Sequence, residues 1–309
     1  MRDKEERCVM KKDSRYPGVL RHISGAPGRL YVRGELPDDR IPSVAVIGAR
    51  RCSGYGREMA QWFAGELAAA GVQIISGMAL GVDGIAQRAA LSAGGKSFGV
   101  LGCGTDICYP RANKDLYEML LEKGGILSEH PQGTPPLARH FPSRNRIISA
   151  LADVVLVVEA KEKSGTLITV DFALEQGKDV YVLPGRLTDD LSRGCNRLLR
   201  QGAGIALAPS DILEGFYGKC GLSAVCRDTA PISKGEEENR KMRKPERLVW
   251  DHMGDRPVTL QELYREIRES GDGEGMELPE VMHILMNFVM QGIVLQERGN
   301  QYQKRMGTK

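Results

Sequence analysis

The sequence predicts a Rossmann-like α/β fold with a doubly wound, mostly parallel sheet, followed by a small C-terminal winged-helix domain. Between about residues 43 and 216, short apolar runs rich in β-branched residues alternate with segments of helical periodicity. Several of these runs are apolar throughout, as strands buried on both faces are. Strand–helix alternation of this kind produces right-handed βαβ units and therefore a parallel sheet.

The individual elements of this region follow from its periodicity. The predicted strands are the runs SVAVIGA (43–49), VQIIS (72–76), SFGVLG (97–102), GGILS (124–128), DVVLVVE (153–159), DVYVLP (179–184) and GIALA (204–208). The predicted helices lie near residues 56–70, 84–93, 113–123, 144–151, 166–176 and 194–201. The first helix has Met59, Phe63, Leu67 and Ala70 on one face, which is the spacing of a helix that packs against a sheet.

The rest of the chain divides into further segments. Residues 1–15 are charged and lack the apolar core of a signal peptide, so we expect an extension ahead of a domain at 16–218. Residues 219–244 contain the run KGEEENRKMRK, which is typical of an exposed linker. Three helical patterns and a hairpin over 245–306 predict the winged-helix domain. Its predicted apolar positions are Leu260, Leu263, Tyr264 and Ile267 on one helix and Leu278, Met282, Leu285, Phe288 and Val289 on the next, before a turn at Gly299-Asn300.

Charge and cysteine content restrict the function. The net charge is only +3, but residues 1–244 hold 35 Lys and Arg against 29 Asp and Glu, whereas residues 245–309 hold 8 against 11. A polyanion should therefore prefer the first part of the chain. The seven cysteines include no CxxC pair, which argues against a zinc ribbon or a redox dithiol. No apolar stretch is long enough to span a bilayer, so we expect a cytoplasmic protein. We also expect that it holds neither a metal nor a cofactor.

Ligands of open α/β sheets bind outside the carboxyl ends of the strands, so the loops that follow the strands carry the candidate site. In GARRCSGYG (48–56), the backbone at Gly48 and Ala49 together with Arg50 or Arg51 would suit a phosphate, although a plain strand-to-helix turn is the alternative. The three glycines of the loop SGMALGVDG (76–84) indicate that the backbone approaches another group closely, and GCGTDICYP (102–110) is the next loop at this end of the sheet. The candidates in these two loops are Ser76, Gly77, Gly81, Asp83 and Gly104. Asp83 either faces the ligand or caps the following helix, and Tyr109 could buttress the pocket wall.

The most informative stretch is HPQGTPPLARHFPSRNRIISALA (130–152), which contains no acidic residue. Its arginines Arg139, Arg144 and Arg146 surround Phe141, and guanidinium groups beside an exposed ring suit single-stranded nucleic acid. The alternative places Phe141 in the core and the arginines in salt bridges. Farther along the chain, Ser164, Gly165 and Thr166 begin a helix, where they would form either an anion site or an ordinary cap.

No motif favours an enzyme. The sequence has no HExxH, no GxSxG and no recognisable Cys–His pair. The run GGKS (94–97) lacks the first glycine of a P-loop and precedes a strand instead of following one. Asp83 and Glu159 could form a carboxylate pair at the pocket, but an acid–base role requires suitable geometry.

Several motifs occur in an order that matches a known family: ISGMALGVDGIAQRAAL, GVLGCGTDICYP, SEHPQGTPPLARHFPSRNRIISALAD, VVEAKEKSGTLITVDFALEQGKDVYVLPG and GCNRLLRQGA. From about Tyr16 to Phe216, the sequence resembles the DNA-processing protein A family, also called DprA or Smf. The resemblance implies an extended Rossmann fold that dimerises, binds and protects single-stranded DNA in a basic pocket, and loads the recombinase RecA during natural transformation.

The resemblance also assigns roles to residues. It implies that Gly48, Ala49 and Arg50 form a phosphate-binding motif in which Arg50 contacts the DNA. The family's FPxRNRII motif falls on residues 141–148, including Asn145, and makes Phe141 a base platform and Arg144 and Arg146 phosphate contacts. Its SGT motif falls on residues 164–166.

Two departures from the family limit what the resemblance implies. Many members carry a helical domain ahead of the Tyr-Pro lead-in, but only 15 residues precede Tyr16, so we expect any role of that domain to be absent or supplied otherwise. The segment 277–292 has no Lys or Arg, which a DNA-reading winged helix normally carries. We therefore predict that the C-terminal domain contacts protein.

The alternative functions are a nucleotide hydrolase that cleaves N-glycosidic bonds and a nucleotide sensor. Enzymes of the former type resemble one another through a PGGxGTxxE loop. At the comparable position, KSGTLITVD (163–171) lacks the paired glycines and the glutamate of that loop.

Overall fold

A computed structural model describes residues 5–216, 242–254, 256–271, 276–290, 293–297 and 301–304. The chain divides into two compact units, Met1–Asp228 and Thr229–Lys309. Most of the linker predicted over 219–244 lies outside the described residues, as does the predicted turn at Gly299-Asn300. Within the described ranges, no helix is both long and apolar enough to cross a membrane.

The first unit is built on one nine-stranded sheet with the order β1-β2-β6-β5-β4-β3-β7-β8-β9. Its strands are β1 (Arg7–Met10), β2 (Arg29–Gly34), β3 (Ser43–Ile47), β4 (Gln73–Ser76), β5 (Ser97–Leu101), β6 (Gly125–Ser128), β7 (Val154–Val157), β8 (Asp179–Val182) and β9 (Gly204–Ile205). Strands β3 to β9 pair in parallel, which confirms the predicted α/β class with a mostly parallel sheet. The chain winds outward from β3 in one direction through β6 and then in the other through β9. Strands β3 and β7 are therefore the point where the direction of winding reverses.

The helices of this unit connect the parallel strands. They are α1 (Gly54–Ala69), α2 (Val82–Ser92), α3 (Lys114–Lys123), α4 (His140–Leu151), α5 (Gly165–Glu175), α6 (Arg193–Arg200) and α7 (Pro209–Leu213). Helix α4 begins at His140, before the predicted start at residue 144. The helix accommodates Pro142 because a proline in the first turn has no intrahelical acceptor to lose.

The sheet edge formed by β1 and β2 was not predicted. Residues 7–10 were expected to belong to a charged extension, but they pair antiparallel with β2, which in turn pairs antiparallel with β6. In β1 only Val9 is buried. A short edge strand with one inward side chain shows neither an apolar run nor an alternating pattern in the sequence.

Both faces of the sheet are covered by helices. In β3, Ala45 and Ile47 belong to a core cluster that includes residues of α4 and α5. Val44 and Val46 point to the opposite face and belong to a cluster that includes residues of α1 and α2. In α1, Trp62 meets the Phe63 ring edge to face, with ring centroids 4.9 Å apart. Because successive side chains of a strand point to opposite faces, the continuous apolar run of β3 serves both layers.

The second unit contains three helices and a small antiparallel sheet. Its elements are α8 (Lys244–His252), β10 (Val258–Thr259), α9 (Leu260–Glu269), α10 (Leu278–Met290), β11 (Val294–Glu297) and β12 (Gln301–Lys304). The strands have the order β10-β12-β11. The core includes Trp250, whose ring meets that of Phe288 edge to face at 5.6 Å between centroids. Helix α10 buries Val281 and Ile284, whereas Met282, predicted to face the core, is 49% exposed.

Candidate functional site

An open cavity of about 620 Å³ lies outside the carboxyl ends of β3 and β7. Its wall includes the loop after β3, the first turns of α2, α4 and α5, and Tyr109 from the loop after β5. Ten of the predicted site residues line this cavity: Gly48, Ala49, Arg50, Asp83, Phe141, Arg144, Asn145, Ser164, Gly165 and Thr166. Loops that are distant in the sequence thus meet where the winding of the sheet reverses, as the topology of open α/β sheets requires.

Phe141 is the aromatic centre of the cavity. Its half-buried ring has the guanidinium carbon of Arg50 at 5.7 Å and that of Arg144 at 6.0 Å from its centroid. The ring of Tyr109 lies 5.6 Å away, centroid to centroid, at an interplanar angle of 32°. Arg50 is exposed and forms no ion pair within the described residues. An aromatic face and an uncompensated cation therefore stand side by side.

Arg144, predicted as a phosphate contact, lines the cavity with a side chain that is largely buried. Its side chain is buried, with 4% exposure, and its Nη1 donates to the carbonyl oxygens of Gly77, at 2.9 Å, and Val100. Burial lowers the pKa of this guanidinium to about 10, and the neighbouring Asp83 carboxylate opposes that shift. Arg144 thus joins the loop after β4 to strand β5 beneath the cavity.

Asp83 has a structural role that was not predicted. Helix α2 has Gly81 at its N-cap and no side-chain cap, so Asp83 does not cap it. The Asp83 carboxylate instead accepts the backbone N–H of Gly77 at 3.1 Å. Burial raises the pKa of this carboxyl, against the opposing effects of Arg144 and of the hydrogen bond from Gly77.

The SGT motif lies at the N-terminus of α5. Ser164 is the N-cap residue, and its Oγ accepts the backbone N–H of Thr166 at 3.1 Å. The Thr166 hydroxyl donates to the carbonyl oxygen of Gly48 at 3.2 Å, which ties the loop after β7 to the loop after β3. The predicted helix cap is therefore present, and the positive end of the α5 dipole is directed at the cavity.

Arg146 points away from the cavity. Its Nη2 forms an ion pair with Glu129 Oε2 at 2.6 Å, and its Nη1 donates to the carbonyl oxygen of Ser143. The predicted salt-bridge alternative therefore holds for this arginine. Helical spacing in the sequence distinguishes Arg146 from the residues of α4 that line the cavity. Those residues are spaced i, i+3, i+4 and i+7, and they are Phe141, Arg144, Asn145 and Ile148.

The remaining predicted residues surround or support the cavity without lining it. Arg51 and Arg139 are exposed and adjacent in the chain to the lining residues Arg50 and Ala138. The Ser76 hydroxyl is buried and donates to the carbonyl oxygen of Val46 at 2.7 Å.

The three predicted glycines outside the lining allow close approaches of the backbone. A Cβ on Gly77 would lie 2.5 Å from the Arg144 guanidinium, and a Cβ on Gly81 would lie 2.2 Å from the carbonyl oxygen of Ala49. The N–H of Gly104 donates to the carbonyl oxygen of Thr134, so this residue shapes a neighbouring loop.

The suggested pair of carboxylates, Asp83 and Glu159, does not form at the cavity. The Glu159 carboxylate accepts hydrogen bonds from the backbone N–H and the hydroxyl of Ser53, and Glu159 does not line the cavity. Among the described residues, no cluster of three or more His, Cys, Asp or Glu side chains is arranged to hold a metal ion.

Some residues of the wall were not predicted as site residues. They are Ile47, Ala79, Pro136, Ala138, Pro142, Ile148, Ile168 and Thr169, together with Tyr109, which was expected only as a buttress. Ile168 and Thr169 follow Gly165 at i+3 and i+4, so the helical period of α5 places them on the same face as Gly165 and could have predicted that they line the cavity.

Comparison with known proteins agrees with this architecture. The model of the family described as DNA recombination-mediator protein A matches residues 7–217. The chain belongs to this family. The DNA processing protein DprA of Streptococcus pneumoniae is 42% identical over 208 residues, covering 66% of this chain and 72% of the relative. Protein Smf of Escherichia coli is 46% identical over 202 residues, covering 65% of this chain, and the match spans about half of that relative's length, 54%.

Two solved structures of DprA proteins share the fold. The X-ray structure of DprA from Streptococcus pneumoniae has a TM-score of 0.65 at 40% identity and covers 68% of this chain and 74% of that one. The structure of DprA from Helicobacter pylori, described as revealing a unique single-stranded DNA binding mode, has a TM-score of 0.62 at 31% identity. It covers 69% of this chain and 96% of that one. The family model, the relatives and the solved structures confirm the predicted resemblance to the DprA/Smf family.

Proposed function

We propose that this member of the DprA/Smf family binds single-stranded DNA in the cavity beside β3 and β7, without catalysing a reaction. The observation that carries the proposal is the half-buried Phe141 ring next to the exposed guanidinium of Arg50, 5.7 Å from the ring centroid. A stacked base requires an aromatic face, and its phosphate requires a nearby cation. The cavity volume of about 620 Å³ falls within the range of small-ligand pockets.

Further groups around the cavity favour the same ligand. Arg139 is exposed at the rim and forms no ion pair within the described part of the chain. The N-terminus of α5 presents backbone N–H groups that favour an anion. Asn145 lines the cavity, and its amide carries both donors and an acceptor suited to a base edge.

We further propose that the protein protects incoming single strands and loads RecA onto them during natural transformation, as a homodimer in the cytoplasm. Membership of a family described as recombination mediators supports this role. The relatives from Streptococcus pneumoniae and Helicobacter pylori are DNA processing proteins, and the latter is described by its binding of single-stranded DNA.

For the C-terminal segment we propose a winged-helix domain over 245–306, joined through the linker 219–244 to a DNA-binding domain that includes strand β1 (Arg7–Met10). Three helices and an antiparallel sheet support this assignment. Helix α10 (Leu278–Met290) has no Lys or Arg, and the segment 245–309 carries more acidic than basic residues. We therefore propose that it contacts protein, and steeply salt-dependent DNA binding by the isolated segment 245–306 would contradict this.

The test is fluorescence-anisotropy binding of labelled oligo-dT across a salt series. Arg50→Ala should weaken binding and reduce the slope of log affinity against log salt by about 0.7, the value for one lost phosphate contact on a single strand. Phe141→Ala should cost about 1–3 kcal/mol of binding free energy, as the loss of one stacking platform does, and leave the salt slope unchanged. Arg40→Ala is the control, since it removes an exposed arginine, ion-paired with Asp38, from the loop before β3, at the amino ends of the parallel strands and away from the cavity.

Two outcomes would overturn the proposal. In one, the wild-type protein binds no oligo-dT at low salt, while mononucleotides raise its thermal unfolding temperature, which would favour a nucleotide enzyme or sensor. In the other, Arg50→Ala and Arg40→Ala reduce the salt slope equally, which would locate the DNA elsewhere on the surface.

A further inference from the structure

We propose that the exposed face of helix α10 (Leu278–Met290) binds an amphipathic helix of a partner protein, whose apolar side chains are bordered by Lys or Arg. This inference rests on the protein contact proposed for the C-terminal segment, and it adds the surface and the chemical class of the partner. The surface consists of four apolar side chains in one row, here called the methionine stripe: Leu278, Met282, Met286 and Met290.

The methionine stripe follows one side of α10. Its members are spaced four residues apart, and rows of this spacing form the ridges that pack into the groove of another helix. Met282 is 49% exposed and Met290 is 85% exposed, whereas Val281 and Phe288 are buried in the core of the second unit. Helix α10 therefore has its inward face occupied and a second apolar face open.

The stripe is one concentrated patch and not a scatter of single apolar residues. Among the residues that the structure describes in the second unit, the exposed large apolar side chains all belong to the stripe. The outward face of a surface helix is normally polar. Because contiguous exposed apolar patches mark interaction sites, this row of side chains is a docking surface.

Methionine restricts the kind of partner that suits this surface. Its unbranched thioether side chain has three rotatable bonds and adapts to the shape of the molecule that it contacts. A row of about three helical turns has the length of one face of a short helix. Helical segments that are recognised in this way present apolar residues at i, i+3, i+4 and i+7.

The charges around the stripe separate the possible partners. Glu277 and Glu280 are exposed beside Leu278, and neither carboxylate forms an ion pair within the described part of the second unit. The segment 260–290, which holds α9 and α10, contains two basic residues against seven acidic ones: Glu262, Glu266, Glu269, Asp272, Glu274, Glu277 and Glu280. A nucleic acid, or the same segment of a second copy, would bring like charge to this surface. A helix bordered by Lys or Arg brings the opposite charge.

A labelled synthetic peptide serves as the probe. It repeats LKKLLKL over about 14 residues and so presents leucines at helical spacing with lysines beside them, and a second peptide has Glu in place of each Lys. Fluorescence anisotropy measures the binding of each peptide to the full chain. The Lys peptide should bind saturably, and the Glu peptide should bind weaker by roughly tenfold or more because its charge is repelled.

Substitutions in the stripe test the apolar contact. Met282→Gln/Met290→Gln should weaken binding of the Lys peptide roughly tenfold, because two apolar side chains lose their share of the buried surface. Met282→Leu/Met290→Leu keeps that surface and should bind like the wild type. Because both methionines are exposed, the thermal unfolding temperature of each variant should stay that of the wild type.

Removal of charge tests the border of the stripe. Glu277→Gln/Glu280→Gln should weaken binding of the Lys peptide about threefold at low salt and leave it unchanged at about 1 M salt, where the Debye length is about 3 Å. The matched control is Glu266→Gln/Glu269→Gln, which removes the same charge from exposed positions of α9 and should stay close to the wild-type affinity.

Three outcomes would overturn the inference. In the first, the wild type binds neither peptide or binds both equally. In the second, Met282→Gln/Met290→Gln binds the Lys peptide as the wild type does. In the third, that variant has a lower mass than the wild type in light scattering, which would assign the stripe to a second copy of the chain.

These outcomes leave the proposed DNA binding intact, provided that the wild type still binds oligo-dT. The variant Met282→Gln/Met290→Gln should bind oligo-dT like the wild type. A loss of oligo-dT affinity in this variant would instead reject the proposed protein contact itself, because it would locate DNA on α10.

Discussion

The burial of Arg144 leads to a prediction that separates it from Arg50. In Arg144→Ala, the carbonyl oxygens of Gly77 and Val100 lose the guanidinium that now donates to both. An unsatisfied buried acceptor costs about 1–3 kcal/mol, so the two together cost about 2–6 kcal/mol. Because the site borders the open cavity, water can reach part of the vacated space. We therefore expect the free energy of unfolding to fall by about 2–4 kcal/mol.

Urea denaturation followed by circular dichroism measures this loss. With a slope of about 2–3 kcal/mol per molar urea, the midpoint should fall by roughly 1 M. Arg50→Ala is the matched control, because removal of an exposed arginine should change stability by no more than about 0.5 kcal/mol while it reduces the salt slope of DNA binding. In the Arg144→Ala background, Asp83→Asn should recover part of the loss because it removes a buried carboxylate left without its cation.

One combination of results would refute this reasoning. If Arg144→Ala were as stable as the wild type but had the reduced salt slope of Arg50→Ala, the Arg144 guanidinium would be a phosphate ligand. Its hydrogen bonds to the two carbonyl oxygens would then be dispensable.

Two further predictions concern backbone strain and pH. Gly81→Ala should unfold at a lower urea concentration than Gly94→Ala, although both glycines have a positive φ, 76° and 85°. The reason is that a Cβ at Gly81 would collide with the backbone oxygen of Ala49, whereas a Cβ at Gly94 would meet nothing. Equal urea midpoints for the two variants would contradict this prediction. Burial and the stacked His140 ring lower the pKa of His130 below the ordinary histidine value of about 6.5. The unfolded state therefore binds more protons just below that pH, and stability should fall as the pH drops below about 6.5. Denaturation near pH 7.5 and near pH 5.5 should show this loss reduced in His130→Gln, and an identical pH dependence in the two proteins would count against it.

Most of the α/β framework could be predicted because its strands are buried on both faces. Val44 to Ile47 are apolar without interruption, and that run has few other interpretations in a chain of this length. Strand β1 could not be predicted, since its contribution to the core is the single side chain of Val9. Edge strands obtain their order from backbone pairing with a neighbour, which leaves little trace in the sequence.

The site was predicted by location better than by the role of each side chain. The loops at Gly48 and Ser164 follow strands whose carboxyl ends must meet, so their convergence follows from topology. The contrast between Arg144 and Arg146 depends on partners that are distant in the sequence. The carbonyl oxygen of Val100 makes the former a buried connector, and the carboxylate of Glu129 holds the latter away from the cavity. Composition makes the two arginines equivalent, and only the three-dimensional arrangement separates them.

The two tryptophans of the chain provide one optical reporter for each compact unit. Trp62 lies in α1 of the first unit and Trp250 in α8 of the second, each edge to face with a phenylalanine. Trp250→Phe leaves an emission signal from the first unit alone, and Trp62→Phe leaves one from the second. Unfolding curves of these two proteins would show whether the units melt together or in sequence. A titration with RecA would test the proposed partnership and, if the two proteins bind, would show which unit changes its environment.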